Sequence, residues 1–303
     1  MTAIPGLHHV TAISGAPQTN VDFYTGVLGQ KLVKKTVNFD DPGTYHLYYG
    51  DAAGSPGTIL TFFPFADAGP GRAGPGMAQA YAYAVPTAQF DAMTDRLASE
   101  GHATVGAAER FGERFVTVRD PDGAPVELIE SADAPDAHGF HSVTLWERDP
   151  EPTIRLLTEA FGYEHQAQET SGGFDRHRLV APGAERGRII DVVRSHVPAA
   201  GRQGAGTIHH IAFRARSYEE QRAWIERLAT HGHRTTDVID RNYFNAIYFR
   251  EPGGVLFEIA TDPPGFAVDE PSESLGQALK LPPQYEAMRD RIERVLPPLR
   301  VRS

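Results

Sequence analysis

Apolar and polar residues alternate along most of this chain, and the alternation breaks at four places where apolar residues recur every three or four positions. Period two predicts strands with one buried face; a spacing near 3.6 predicts helices packed on them. Taken in order, the pattern predicts strands at Leu7–Ser14, Leu32–Phe39, Tyr45–Tyr49 and Thr58–Phe63, with a helix near Asn20–Leu28 after the first. A second series has a strand at Ala78–Val85, a helix near Ala88–Glu100 and a closing hairpin that runs to Glu130. The third has Phe140–Trp146, a helix near Glu151–Phe161, then Glu164–Glu169, His177–Ala181 and Arg188–Val193. The last has Ile208–Ala215, a helix near Tyr218–Thr230, Thr235–Asp240 and a hairpin to Ala260. Within that helix Trp224, Ile225, Leu228 and Ala229 make the apolar stripe, and all four helices end near a glycine: Gly29, Gly101, Gly162 and Gly232.

The series is a repeat. Phe111–Leu128 superposes on Asn242–Ile259: a strand, the turn Arg-acid-Pro-x-Gly, and a return strand with a glutamate, Glu127 or Glu258, at the same offset. Four βαβββ modules follow, at 1–75, 76–137, 138–203 and 204–270. A tail at 271–303 is Pro-rich and then predicts a capping helix over Pro283–Val295. The links Phe65–Gly76, Ala132–His138 and Val197–Gly206 are rich in Pro, Gly and Ala. Within the first, Gly69-Pro70-Gly71-Arg72-Ala73-Gly74 matches the dinucleotide pattern, but Pro75, Gly76 and a strand follow where that motif needs a helix. It reads as a flexible linker.

Composition narrows the chemistry. The net charge of −10 removes the basic face a nucleic-acid partner requires. No cysteine is present, which excludes disulfides, thiolate metal sites and a cysteine nucleophile, and fits a reducing compartment. No apolar run approaches the roughly 18 residues of a membrane helix, and Met1–Gly6 lacks the basic and apolar segments of a secretion signal. A cytoplasmic protein without nucleic-acid or membrane partners is expected; a homo-oligomer is left open.

The repeat also duplicates a candidate centre. Gly6-Leu7-His8-His9-Val10-Thr11-Ala12 is echoed by Gly206-Thr207-Ile208-His209-His210-Ile211-Ala212, and Glu258 follows on the closing strand of the same module. Strand alternation puts His9, Thr11 and Ile13 on one face, His8 and Val10 on the other, and Glu258 on the face opposite Val255, Phe257 and Ile259. A carboxylate inside a curled sheet is costly unless a cation meets it. A lone His-His pair would read as ordinary half-buried strand ends, and a lone Glu258 as an arginine's partner. Both pairs, however, hold the same place in their modules. Two imidazoles and one carboxylate make a divalent-metal site with coordination positions left open. The middle modules supply a control: Glu127 matches Glu258, but Ser142 and Ala80 stand where the second histidines would be, so one site per chain is expected. His141, which matches His209, reads as structural, and His46 fits no pattern.

These residues resemble the vicinal oxygen chelate superfamily of glyoxalases and extradiol dioxygenases, and more closely the ring-cleaving dioxygenases that open hydroquinones. The likeness rests on Leu7–Thr11, Tyr45–Tyr49, Gly139–Ser142, Ile208–His210, Pro252–Glu258 and Ser274–Gly276. It implies an α+β fold in which the four modules pair into two open barrel-like domains, the first with the fourth around the metal and the second with the third. It implies Fe2+, with Mn2+ tolerated by the same donors, on His9, His210 and Glu258. It also implies catalytic or pocket roles for His8, Thr11, His209, Arg241 and Tyr248, with the two histidines as proton acceptors or supporting donors. The implied partners are a small aromatic substrate and O2, and the implied reaction is cleavage of a para-dihydroxy ring. Around Arg241 the chain reads Arg-Asn-Tyr-Phe where a glycine is commoner in such relatives, which leaves the ring substituents open. Extradiol cleavage of a catechol, a glyoxalase-like isomerase or lyase, and a metal-free binding protein of the same fold are the rival expectations.

Overall fold

The computed structural model describes residues 3–102, 104–196 and 198–301, and the side chains of all of these but 104–107. Val197, the first residue of the third predicted link, lies outside them, as do the chain's first two and last two residues. The first module has β1 (Leu7–Ser14), α1 (Pro17–Val21), β2 (Lys31–Val37), β3 (Tyr45–Gly50) and β4 (Ile59–Pro64). The second has β5 (Met77–Pro86), α2 (Thr87–Ser99), β6 (Thr104–Arg110), β7 (Glu113–Arg119) and β8 (Pro125–Ser131). The third has β9 (Phe140–Trp146), α3 (Glu151–Arg155), β10 (Glu164–Ser171), β11 (Phe174–Val180) and β12 (Ile189–Ser195). The fourth has β13 (Thr207–Ala215), α4 (Tyr218–Thr230), β14 (Ile239–Asp240), β15 (Phe244–Arg250) and β16 (Leu256–Pro264).

Two curled eight-stranded sheets result. One runs β14-β15-β16-β13-β1-β4-β3-β2 and joins the fourth module to the first; the other runs β10-β11-β12-β9-β5-β8-β7-β6 and joins the third to the second. The joint in each case is an antiparallel pair of first strands, β1 with β13 and β5 with β9. Val255, Phe257 and Ile259 enter the main core with Trp224 and Leu228 of α4, so the other face of β16 is left for the barrel interior. The aligned hairpins each follow a tight reversal, and the non-glycine residues there with positive φ, Phe111 and Asn242, hold equivalent positions.

Several elements differ from expectation, each for a local reason. Pro17 starts the first helix three residues early, as a proline favours the first helical position. That helix and α3 both finish in π-helical turns, Asp22–Val27 and Leu156–Ala160. The strand expected at Thr235–Asp240 shrinks to two residues, because Thr236 Oγ1 accepts the Tyr248 N–H that a strand carbonyl would take. Half of the tail helix is a 3-10 turn, Pro283–Met288, before α5 (Arg289–Val295). The glycine-rich links clasp each other: Gly71 N bonds Ala205 O at 2.7 Å and Arg72 exchanges backbone bonds with Arg202. A Cβ on Gly71 or Gly74 would collide with the opposing link, which accounts for two glycines of the false dinucleotide pattern.

The tail closes the first barrel. Phe266 and Leu275 pack with Val33, Tyr48 and Tyr243 inside it, and Lys34, wholly buried, reaches Asp269 and Glu270 at 2.5 Å each. The two barrels are tied by the acids of the matching hairpin turns. Asp120 accepts from Tyr24 of the first module at 3.0 Å, and Glu251 accepts from Thr153 of the third at 2.6 Å.

Beside Glu251, Glu147 is fully buried against Gly253, and among the described residues no donor reaches either of its oxygens. Burial, and then the Glu251 carboxylate, raise its pKa to about 9, so at neutral pH it is a carboxylic acid that can donate its own proton to Glu251. The unfolded chain releases that proton near the ordinary glutamate pKa. Stability is therefore full below that value and falls as pH rises toward 9. Glu147→Gln is expected to flatten this fall and to raise stability at pH 8 by on the order of 2 kcal/mol. Urea titrations of both proteins at pH 5, 7 and 8.5 test it; parallel pH profiles would refute it.

Candidate metal centre

His9 and His210 face each other across the joint between the first and fourth modules. The register pairs His9 with Ala212 and Thr11 with His210, so the two imidazoles lie one step apart on the same face. Glu258 enters from β16, which runs parallel to β13 and sets Glu258 opposite Ala212. The three converge: Glu258 Oε2 lies 2.9 Å from His210 Nε2 and 3.4 Å from His9 Nε2, and the two Nε2 atoms are 3.4 Å apart. Their relative exposures are 0%, 5% and 1% for Glu258, His210 and His9.

Those atoms suit a cation better than one another. All three side chains offer one donor atom within a 4.8 Å span, and neither Glu258 oxygen has a hydrogen-bond donor of adequate geometry. Two ring nitrogens at 3.4 Å leave no room for a proton on each. Burial alone would raise the Glu258 pKa, but the imidazoles outweigh it and hold the carboxyl well below its usual range. Burial keeps His210 neutral, despite the opposing pull of Glu258. An ionised carboxylate beside a neutral His210 imidazole suits a divalent metal. The donors present therefore fit a metal ion.

Register slips explain the first histidine of each pair. Between Leu7 and His9 the β1 strand carries one residue too many, and between Thr11 and Ala12 the β13 strand does; the extra residues are His8 and His209. Each is a β-bulge, which leaves a residue unpaired and re-aims its side chain. His8 Nδ1 thus comes within 2.9 Å of His9 Nδ1, and His209 Nδ1 within 2.7 Å of His210 Nδ1. Simple alternation would have kept these rings apart. The second barrel bulges at the same places, at Gln79 and His141.

The second barrel shows the alternative use of the carboxylate. Ala82 pairs with both Ser142 and Glu127, as Ala212 pairs with both His9 and Glu258. With no imidazoles present, Glu127 takes a bidentate bond from Arg110 at 2.7 and 2.8 Å. Arg241 is the repeat counterpart of Arg110, yet it turns to Tyr248 Oη at 3.3 Å and to Asp40 at 3.4 Å. Glu258 is left for the imidazoles.

A cavity of about 380 Å3 opens onto the triad. Thr11, His209, Arg241 and Tyr248 line it; His8 does not, being buried behind His9 against Phe244 and Thr261. Tyr248 stands opposite Glu258 in the ladder and is kept protonated, first by burial and then by that carboxylate. Phe39, Phe63, Phe65 and Phe244 supply flat apolar walls. His46 and Tyr48 also line the cavity, and the sequence reading left them out. A signal existed: Tyr48 pairs with Thr61 as Tyr248 pairs with Glu258, so both tyrosines occupy one repeat position. Finding it required carrying the hairpin alignment back to the first module.

The glyoxalase/bleomycin resistance protein/dioxygenase superfamily model matches residues 6–128 and again 139–259. The chain is 47% identical over 311 residues to a protein of Bacillus subtilis (strain 168) named "Putative ring-cleaving dioxygenase MhqO", covering 98% of this chain and 97% of that one. It is 33% identical over 313 residues to the chlorohydroquinone/hydroquinone 1,2-dioxygenase of Sphingobium indicum, covering 97% and 96%. A crystal structure described as a putative dioxygenase from Bacillus subtilis superposes with a TM-score of 0.93 at 45% identity, covering the whole of both chains.

Proposed function

The chain belongs to the glyoxalase/bleomycin resistance protein/dioxygenase superfamily, and on that premise we propose that it is an Fe2+-dependent dioxygenase that opens a hydroquinone-type ring beside a hydroxylated carbon. The observation that carries this reading is the buried His9–His210–Glu258 set, with an unsatisfied carboxylate, at the floor of an aromatic-walled cavity. The names of the relatives support the reaction class and the substrate. A metal ion held by these three side chains would acidify a phenolic hydroxyl and connect the ring electronically to dioxygen.

The remaining work falls to the protein. His9 and His210 present Nε2 to the centre, so their Nδ1 atoms carry the protons, and His8 and His209 accept them at Nδ1. His8 Nε2–H is spent on the Thr261 carbonyl. His209, its pKa lowered to about 4 chiefly by burial, stays neutral and turns Nε2–H to the cavity, where it donates to an oxygen of substrate or dioxygen. Of the two roles the resemblance implied for it, acceptor or supporting donor, this is the donor. Tyr248, polarised by the Arg241 guanidinium, offers a second hydroxyl beside Glu258. The phenylalanine walls hold the ring and exclude water.

A glyoxalase-type isomerase, which typically uses a second carboxylate, is less well supported. Thr61 occupies the position in the first module that Glu258 holds in the fourth. Oxygen consumption by anaerobically Fe2+-loaded protein separates the readings. Uptake with hydroquinone and its methyl and chloro derivatives, and little with catechol, is expected. Faster uptake with catechol would reject the hydroquinone assignment, and no uptake by iron-loaded protein would reject ring cleavage.

A further inference from the structure

The cavity has a second polar wall that the proposed metal chemistry does not use. On β3, Tyr48 Oη lies 2.9 Å from His46 Nδ1, and His46 Nε2 lies 2.9 Å from Thr61 Oγ1. Thr61 in turn donates to Thr11 Oγ1 at 2.9 Å. The direction of this chain is fixed from its far end. Since the Thr61 hydroxyl gives its proton to Thr11, it must accept from His46 Nε2–H. The other ring nitrogen is then an acceptor, and Tyr48 gives its proton to it. Burial disfavours the charged form of His46, so the ring is neutral and holds one proton for this purpose. Tyr48 therefore has no hydrogen to offer the cavity. It offers lone pairs, and so selects a group that donates.

The other polar groups in the cavity serve the metal side or the mouth. Arg241 and Tyr248 bond each other beside Glu258, and His209 is tied to His210. Asn38 accepts from the Asp40 backbone, and the Asp40 side chain is mostly exposed at the mouth, where it pairs with Arg241. Tyr48 is almost fully buried and belongs to the module that lacks the carboxylate. A flat ring anchored at Glu258's half of the barrel must extend toward this other half.

We propose that Tyr48, oriented by His46, receives the second hydroxyl of a para-dihydroxylated ring whose first hydroxyl lies at the His9–His210–Glu258 centre; this rests on the ring-cleavage reading above. Tyr48 is then a specificity residue and His46 a positioning residue. An ortho hydroxyl would point along the metal side of the ring and leave Tyr48 unbonded.

Calorimetric titration of Fe2+-loaded protein under argon with hydroquinone, phenol and 4-methoxyphenol tests the assignment without turnover. Wild type is expected to bind hydroquinone roughly tenfold more tightly than phenol, the worth of one buried hydrogen bond. The methoxy compound, which has no second proton to donate, is expected to gain nothing over phenol. Tyr48→Phe should bring hydroquinone to the affinity of phenol and leave phenol unchanged. A wild-type ratio near one, a methoxy compound that binds like hydroquinone, or a ratio that survives Tyr48→Phe would each overturn the proposal. The two wild-type comparisons stand even if the variant misfolds. Oxygen uptake on the same samples separates the two readings: selective binding without uptake removes ring cleavage and keeps Tyr48, whereas uptake with unselective binding does the reverse.

Discussion

Glu258→Gln is expected to abolish tight metal binding and to cut turnover by at least about a thousandfold. The carboxylate is fully buried and has no satisfactory hydrogen-bond donor. In the absence of metal, a neutral amide also gives up the attraction of the imidazoles, which outweighs the burial of the charge, so the metal-free variant should lose stability at neutral pH. Its repeat counterpart should behave differently. Glu127→Gln strips the bidentate partner from Arg110, which is itself buried, and should cost about 3 kcal/mol of stability while leaving the activity of folded protein near wild type. Thermal unfolding with and without saturating Fe2+ reads both effects. Added metal should raise the midpoint of wild type and of Glu127→Gln by on the order of 5–10 °C, and that of Glu258→Gln hardly at all. Loss of turnover in well-folded Glu127→Gln would overturn the single-centre reading.

His209→Phe is expected to keep the metal and lose turnover by roughly a hundredfold or more. The bulge at His209 gives this ring two tasks: it accepts at Nδ1 from His210 and presents Nε2–H to the cavity. Phenylalanine removes both. Loss of the first should weaken metal affinity by about tenfold, as removal of a ligand's hydrogen-bond partner typically does. Loss of the second should lower kcat of the fully loaded enzyme. His8 performs only the first task, because its other nitrogen is engaged by Thr261 and it does not reach the cavity. His8→Phe should therefore weaken metal affinity similarly and spare kcat at saturating metal. Metal content by atomic emission, set beside single-turnover rates, tells these apart. A His209→Phe protein that purifies without metal-binding capacity would show that the wrong histidine of the pair has been assigned to the centre.

Much of this was legible in the chain because the chain says it more than once. Alternation located β1, and the match of Phe111–Leu128 to Asn242–Ile259 located both closing hairpins and both glutamates. The contrast between Glu127 and Glu258 was also present in the letters, since Ala80 and Ser142 replace the histidines. What escaped was set by partners remote in sequence. The bulges at His8 and His209 exist only in the pairing of β1 with β13, so strict alternation aimed His8 away from His9. Thr236 lost its place in a strand to its own hydroxyl. The supposedly flexible links are ordered by one another across more than a hundred residues. His46 and Tyr48 lie in the matched stretch Tyr45–Tyr49 but were given no site role, which only the wall of the cavity they share with the triad supplies.

The order of the strands has a consequence for biosynthesis. The second barrel is encoded contiguously, from β5 to β12, and can close as soon as that stretch has left the ribosome. The first is built from the segments on either side of it. At ordinary elongation rates of about 5–20 residues per second, His9 waits roughly 12–50 seconds for Glu258 to be made. Throughout that interval β1 is a bare edge, and no cation can find all three donors. The finished second barrel is then the jig on which the halves of the first are brought together. A metal ion could meet the complete donor set only after β16 is made, and Phe266 and Leu275, which follow it in the chain, pack inside the same barrel.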